Sequence, residues 1–243
     1  MAMLIPIRDE NPHKRFPAVT LGLIAANVVA YLATSQALLS ISPRNSFQWG
    51  AVPCDVTGEC VGLSQQLEAA FPSRSPYLSL FTSMFMHGDI LHLGFNMLFL
   101  WVFGNNVEDR LGRLRFPVFY LACGLGAAFA HIALNASSNV PIIGASGAIS
   151  GVLGAYVILW PRASIISLVP LGFFLTAVRL PAWVALGIWF AVQIFGSLAG
   201  LGQIGGGGVA YLAHIGGFVA GMILIFLFGG YRRPERAYDV WSG

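Results

Sequence analysis

Residues 144–161 read GASGAISGVLGAYVILWP, and the fold turns on how that stretch is taken. It holds no charge, it places small residues at helical spacing, and it stops at Pro161. That is the pattern of a helix that begins near Ser146 and packs closely against neighbours in an apolar medium. Comparable apolar stretches lie at about 17–38, 84–104, 116–135, 181–200 and 209–229. The chain of 243 residues is 56% hydrophobic and 9% charged, against about 25% charged for a soluble domain. Uncharged runs of roughly 18 residues read as membrane spans. The expected fold class is therefore all-α: a polytopic membrane protein, one domain over residues 1–243, with six spans and short tails.

The segment from Ala163 to Leu180 is also apolar, but Pro161, Pro170 and Pro181 interrupt it. We read it as a loop or half-inserted segment leading into the fifth span. Charge placement supports six spans. With the N-terminus in the cytoplasm, Arg8, Lys14, Arg15, Arg110, Arg113, Arg115, Arg162, Arg179, Arg232, Arg233 and Arg236 all fall inside. Arg44 and Arg74 fall outside, and a seventh span would reverse the last tail. The apolar run from Phe16 to Leu39 exceeds the ~7–15 residues of a signal peptide's core, so it is read as a retained span. The expected location is a cell membrane, of the bacterial inner-membrane kind, with both termini cytoplasmic.

Residues 39–81 then form a long external loop. Phe47, Trp49, Leu67 and Phe71 are expected at the membrane interface, and Gly205 to Gly208 as a flexible external turn. Cys54 and Cys60 flank a polar turn and are either a disulfide, if the compartment is oxidising, or two free thiols. Cys123 reads as a small core residue. No basic stripe with interleaved aromatics points to nucleic acid, which excludes that partner.

Ionisable groups inside a bilayer are expensive, so His214 in an otherwise apolar span needs a reason. Ser146 lies about 14 residues, or ~21 Å, above the Pro161 end of its helix. His214 lies about 16 residues, or ~24 Å, above Gly230. The two depths agree. Gly147 and Gly151 on one helix, with Ser150 and Gly154 beside them, can meet Ala213, Gly217 and Gly221 on the other. Ser146 opens its helix, where free N–H groups and the helix dipole suit a developing oxyanion. Gly144 and Gly147 would let a substrate backbone come close. The surroundings are not the Gly-x-Ser-x-Gly elbow, because residue 148 is Ala and no strand precedes it.

Serine becomes a nucleophile when an adjacent base takes its proton. The span cores hold no Asp or Glu, the nearest being Asp89 and Glu108 near span ends, so a Ser146–His214 dyad is expected. His92 and Asn96 are i,i+4 on one helix face, near the depth of the serine, and both can donate to an oxyanion. A zinc site is the rival reading, but His87 and His92 are i,i+5, a poor spacing for shared ligation, and no metal is expected.

Gly144-Ala145-Ser146-Gly147, Ala213-His214-Ile215-Gly216-Gly217 and His92-Leu93-Gly94-Phe95-Asn96 together resemble the rhomboid family's nucleophile, histidine and oxyanion motifs. Glu108 to Gly112 and on to Arg115-Phe116 resembles its turn after the second span, where Glu108 and Arg115 would be structural. The ordered set covers roughly residues 76–228. The resemblance implies an intramembrane serine protease with a water-filled cavity open to the extracytoplasmic side. It implies substrates that are single-span membrane proteins, cleaved near a helix end at a small residue, and no cofactor. By the same resemblance Ser146 N–H, His92 and Asn96 hold the oxyanion, and Phe95, Trp189 and Phe190 help form a substrate gate. Many relatives carry a tyrosine stacked on the histidine where this chain has Ser150, so the imidazole must be oriented some other way, or less tightly. Two other readings stand beside this one. An inactive relative that binds transmembrane clients would be expected to lack Ser146 or His214. A transporter would show an ionisable pathway or two similar halves.

Overall fold

The computed structural model describes residues 4–11, 14–36, 39–171, 174–200 and 210–231. Strand β1 (Ile5–Asp9) precedes helix α1 (Ala18–Thr34), and a two-residue ladder follows, β2 (Ser35–Gln36) with β3 (Ser40–Ile41). Four short helices come next: α2 (Pro43–Trp49), α3 (Pro53–Thr57), α4 (Val61–Ala70) and α5 (Pro76–Thr82). The bundle continues with α6 (Ile90–Leu111), α7 (Arg115–Leu134) and α8 (Ser146–Leu159). A hairpin of β4 (Ser164–Leu171) and β5 (Phe174–Pro181) leads to α9 (Ala182–Gly200) and α10 (Tyr211–Leu227). Among the described residues α6 and α7 are long and apolar enough to cross a bilayer by length and composition, while α1, α8, α10 and α9 as far as Leu198 are apolar but shorter. Gly205 to Gly208, Arg232, Arg233 and Arg236 lie outside the described residues.

The expected second span, 84–104, is displaced towards the C-terminus. Asp89 caps α6 by accepting a hydrogen bond from the His92 backbone N–H at 2.8 Å, so the helix starts at Ile90. It runs past Gly104 because its polar residues find partners. Glu108, buried, accepts from the backbone N–H groups of Val19 (3.0 Å) and Thr20 (2.7 Å) and from the Thr20 hydroxyl (2.8 Å). The first turn of α1, which has no capping side chain of its own, is thus closed by a carboxylate from α6. At the foot of α10, Arg110 Nε donates to the Gly230 carbonyl (2.6 Å) and Arg115 Nη1 to that of Phe228 (3.4 Å). Both residues expected to be structural, Glu108 and Arg115, stand at these joints.

Ala163 to Leu180 is not an irregular loop. It forms an antiparallel hairpin whose first strand also pairs with β1, giving a three-stranded sheet in the order β1-β4-β5. Ile5 faces Leu168, Asp9 faces Ile165, and Ser164 faces Pro181. Pro6 and Pro181 sit on outer strands and Pro170 lies beyond the reach of β1, where a missing N–H is tolerated. The expectation of an all-α chain holds for the bundle and misses this sheet.

The sheet is fastened to the bundle through Asp9. Its Oδ2 accepts from the Tyr156 hydroxyl of α8 (2.8 Å) and from Asn106 Nδ2 of α6 (2.6 Å). Burial pushes the Asp9 carboxyl up from its ordinary 3.8 to about 6, against the opposing pull of those hydrogen bonds and of Arg8. A carboxyl whose folded pKa is raised favours the folded state most below its unfolded value and loses that contribution as pH rises through about 6. The thermal unfolding midpoint in detergent should therefore fall between pH 5 and pH 7.5, and Asp9→Asn should remove that part of the fall. Full wild-type pH dependence in the Asp9→Asn variant would contradict this.

At the opposite end, α2 to α4 close on a small core of their own. Val52, Cys54 and Leu67 are buried there against Phe47, Cys60, Leu63 and Phe71; of the four residues expected at a membrane interface, Leu67 is buried, Phe47 and Phe71 are partly buried, and Trp49 is exposed. Cys54 and Cys60 form a disulfide. Asp55 and Arg74 make a buried ion pair. A bridge between Ala51 and Ile142 fixes this region to the segment that precedes Gly144.

Helix α8 is buried along almost its whole length, and α10 crosses it with backbone nearly on backbone. A methyl group at Gly217 would run into the carbonyl of Gly147, one at Gly221 into that of Gly151, and one at Gly154 into that of Phe218. The small-residue faces read from sequence do meet. Cys123, buried and free, lines the same seam beside Gly151. Helix α9 is different: Trp183, Ile188, Ile194, Phe195 and Leu198 are exposed along it.

Candidate active site

Ser146 is the first residue of α8, and the three residues before it make a tight approach. Gly144 has φ +128°, a conformation open to glycine, and its N–H donates to the Ser83 carbonyl at 2.9 Å. A side chain there would stand 2.9 Å from His92 Nε2 and 3.5 Å from Ser146 Oγ. Glycine therefore keeps open the space between the serine and His92.

Ser146 Oγ lies 2.7 Å from His214 Nε2. The other ring nitrogen, Nδ1, lies 2.8 Å from Oε1 of Gln193 on α9. Gln193 Nε2 donates to the Trp189 carbonyl at 3.2 Å, which assigns the amide so that its oxygen faces the ring. An amide oxygen only accepts, so the network places the imidazole proton on Nδ1 and leaves Nε2 to accept from the serine hydroxyl.

His92 sits across the serine. Its Nδ1 accepts from the Gly88 N–H at 3.3 Å, which puts the ring proton on Nε2, the nitrogen facing Gly144. His87, fully buried, stands edge-on to it with ring centroids 5.2 Å apart. Asn96 is buried one turn further on, and its Nδ2 donates to the His92 carbonyl at 2.9 Å. The structure thus brings Ser146, His214, Gly144 and His92 together, while the Asn96 amide is turned onto its own helix. Ser150 Oγ bonds the Ser146 carbonyl at 2.6 Å and does not hold the imidazole. Trp189 packs near it instead, 6.0 Å between ring centres. Phe190 stacks on Phe218 at 4.6 Å, and Phe95 is partly exposed on α6. Beside Ser146 lies a small, mostly apolar cavity walled by Met84, Ala127, Ala128, Ile142, Ala210 and Ala213. Among the described residues no group of His, Cys, Asp or Glu is placed to hold a metal ion.

Gln193 escaped the sequence reading. It is the one amide in an otherwise apolar run, AWVALGIWFAVQIFGSLAG. The expense of polarity in lipid was applied to ionisable side chains only, and it holds for amides too.

The family model of the Rhomboid domain matches residues 74–231, from just before α5 to just past α10. The chain belongs to the rhomboid family. It is accordingly a polytopic membrane protein. It is similar to "Rhomboid protein 1, mitochondrial" of Saccharomyces cerevisiae, 32% identical over 158 residues, which cover 63% of this chain and 41% of that protein. It is similar also to "Rhomboid protease GluP" of Bacillus subtilis, 34% identical over 159 residues, covering 65% and 28%. "Rhomboid-like protein 11, chloroplastic" of Arabidopsis thaliana is 30% identical over 167 residues, covering 65% and 55%. The chain thus spans between about a quarter and a little over half of these relatives' lengths. The matched rhomboid segment holds Ser146, His214, His92 and Gln193. β1 and α1 precede it, and Asp9 and Glu108 join them to it.

Proposed function

We propose that this rhomboid is an intramembrane serine endopeptidase that cleaves transmembrane segments of single-span proteins. In this reading α1 and α6 to α10 are six spans. The end bearing Arg110, Arg113, Arg115 and the sheet faces the cytoplasm, and the serine opens to the other side. The observation that carries the proposal is the 2.7 Å approach of His214 Nε2 to Ser146 Oγ.

Ser146 Oγ attacks the scissile carbonyl carbon as its proton passes to His214 Nε2. The oxyanion that forms is held by the N–H groups at the start of α8 and by His92 Nε2–H. Asn96 Nδ2 carries a second hydrogen and joins them once its amide turns from the His92 carbonyl. The C–N bond then breaks, His214 gives the proton to the leaving amine, and an ester links Ser146 to the acyl half. Water attacks the ester, His214 again takes the proton, and the carboxylic product leaves with Ser146 restored. The cavity walled by alanines and Met84 fits a small side chain next to the cleaved bond.

A fluorophosphonate reports on the first of these steps. The serine oxygen displaces fluoride from phosphorus and remains as a stable ester. Mass spectrometry of the protein after exposure should find the label on Ser146. No label there, or a label that His214→Ala leaves equally fast, would overturn the proposal. A transporter would take none at that position.

A further inference from the structure

We infer that Gln193 is the positioning residue for His214: its amide oxygen holds Nδ1–H and so fixes the tautomer and ring angle in which Nε2 can take the serine proton. The inference rests on the proposed protease reading and adds a third member to its dyad.

A base that can spin about its χ angles, or carry its proton on the wrong nitrogen, is a poor one, and serine hydrolases meet this with a third group behind the histidine. In many water-soluble enzymes that group is a carboxylate, and in some an amide. Here the ring lies among apolar helices, where an ionised acid would be costly. Among the described residues no Asp or Glu is hydrogen-bonded to His214. An amide gives the same one-way instruction, since its oxygen accepts and cannot donate, without a net charge.

Three observations make the contact specific. Gln193 is 6% exposed, so its oxygen has no ready alternative in solvent and would be left unpaired without the ring. Its nitrogen is already committed to the Trp189 carbonyl at 3.2 Å, which prevents the amide from flipping. Trp189 and Gln193 lie i,i+4 on one face of α9, so the ring that packs near the imidazole and the oxygen that holds it come from a single helix turn. On α8, Ser150 is turned to the Ser146 carbonyl and leaves this task vacant.

The test compares wild type, Gln193→Met and Gln193→Glu in the full chain. It measures kcat and KM on a reconstituted membrane substrate, the rate of fluorophosphonate labelling at Ser146, and the thermal unfolding midpoint. Methionine has the volume but no acceptor, whereas glutamate keeps one. We expect Gln193→Met to lower kcat by about 10- to 100-fold, at or below the lower edge of the roughly 10²–10⁴-fold that general-base catalysis contributes, because the base is misoriented and not removed, with KM changed less than about twofold. Labelling should slow in parallel, because the small probe depends on the base and not on how a transmembrane helix gains access. Gln193→Glu should recover most of the labelling rate. Unchanged labelling with Met, a rise in KM alone, or equal losses with Met and Glu that track the unfolding midpoint would each overturn the inference. If the wild type itself takes no label at Ser146, the protease reading fails; if it does and Met labels as fast, only the role of Gln193 fails.

Discussion

Alanine at Ser146 should abolish cleavage of a reconstituted single-span substrate, and alanine at His214 should do the same, with the fold retained in both. The expected fall in turnover is at least about 10⁴-fold, the scale seen when one member of a cooperating nucleophile and base is removed. Ser146→Ala deletes a hydroxyl whose partner is the His214 ring at 2.7 Å, and no other described nucleophile has that placement. His214→Ala leaves the hydroxyl without a proton acceptor. Because the two act as a unit, the double variant should be scarcely worse than either single one. Thermal unfolding in detergent should stay close to wild type for Ser146→Ala, whose side chain is only half-buried. Full activity in either single variant refutes the dyad.

Gly221→Ala should be the most damaging single methyl in the bundle. The added carbon would meet the carbonyl oxygen, carbonyl carbon and Cα of Gly151, and backbone cannot step aside as a side chain does. Overpacking commonly costs about 1–3 kcal/mol, and a clash with main chain belongs at or above the top of that range. α8 and α10 must separate to relieve it, which also draws His214 away from Ser146. Activity should therefore fall further than stability, with labelling at Ser146 slowed even at temperatures where the protein stays folded. Gly22→Ala on α1, where a methyl meets nothing within 4 Å, is the control and should leave both unchanged. An unfolding midpoint for Gly221→Ala equal to that of the control would show that the crossing is looser than described.

The helices of the bundle and the meeting of α8 with α10 were legible because both are written locally, in apolar length and in small residues at i,i+4. The approach of Ser146 to His214 followed from counting turns along two such helices. What was not legible depends on partners distant in the chain. Residues 164–181 are apolar on both faces, so they lack the alternation that marks a strand, and their pairing with Ile5–Asp9 crosses most of the sequence. The end of α6 looked too polar for lipid until Asp9 and the first turn of α1 supplied partners for Asn106 and Glu108. Phe47, Leu67 and Phe71 looked like interfacial anchors because the small core they share with Val52 and Cys54 is assembled from several short helices. Gln193 was visible as a polar residue, and its meaning lay in a ring on another helix.

Helix α8 has 14 residues, a rise of ~21 Å, whereas the hydrocarbon layer is about 30 Å deep. A rod that short leaves a well above its upper end, and oil cannot settle comfortably on the bare amide hydrogens there. In a bilayer, solvent would be drawn down to that rim instead. The hydrolysis we propose would consume one molecule of it in each turnover, and the stunted helix would then be its supply line in a place that is otherwise dry.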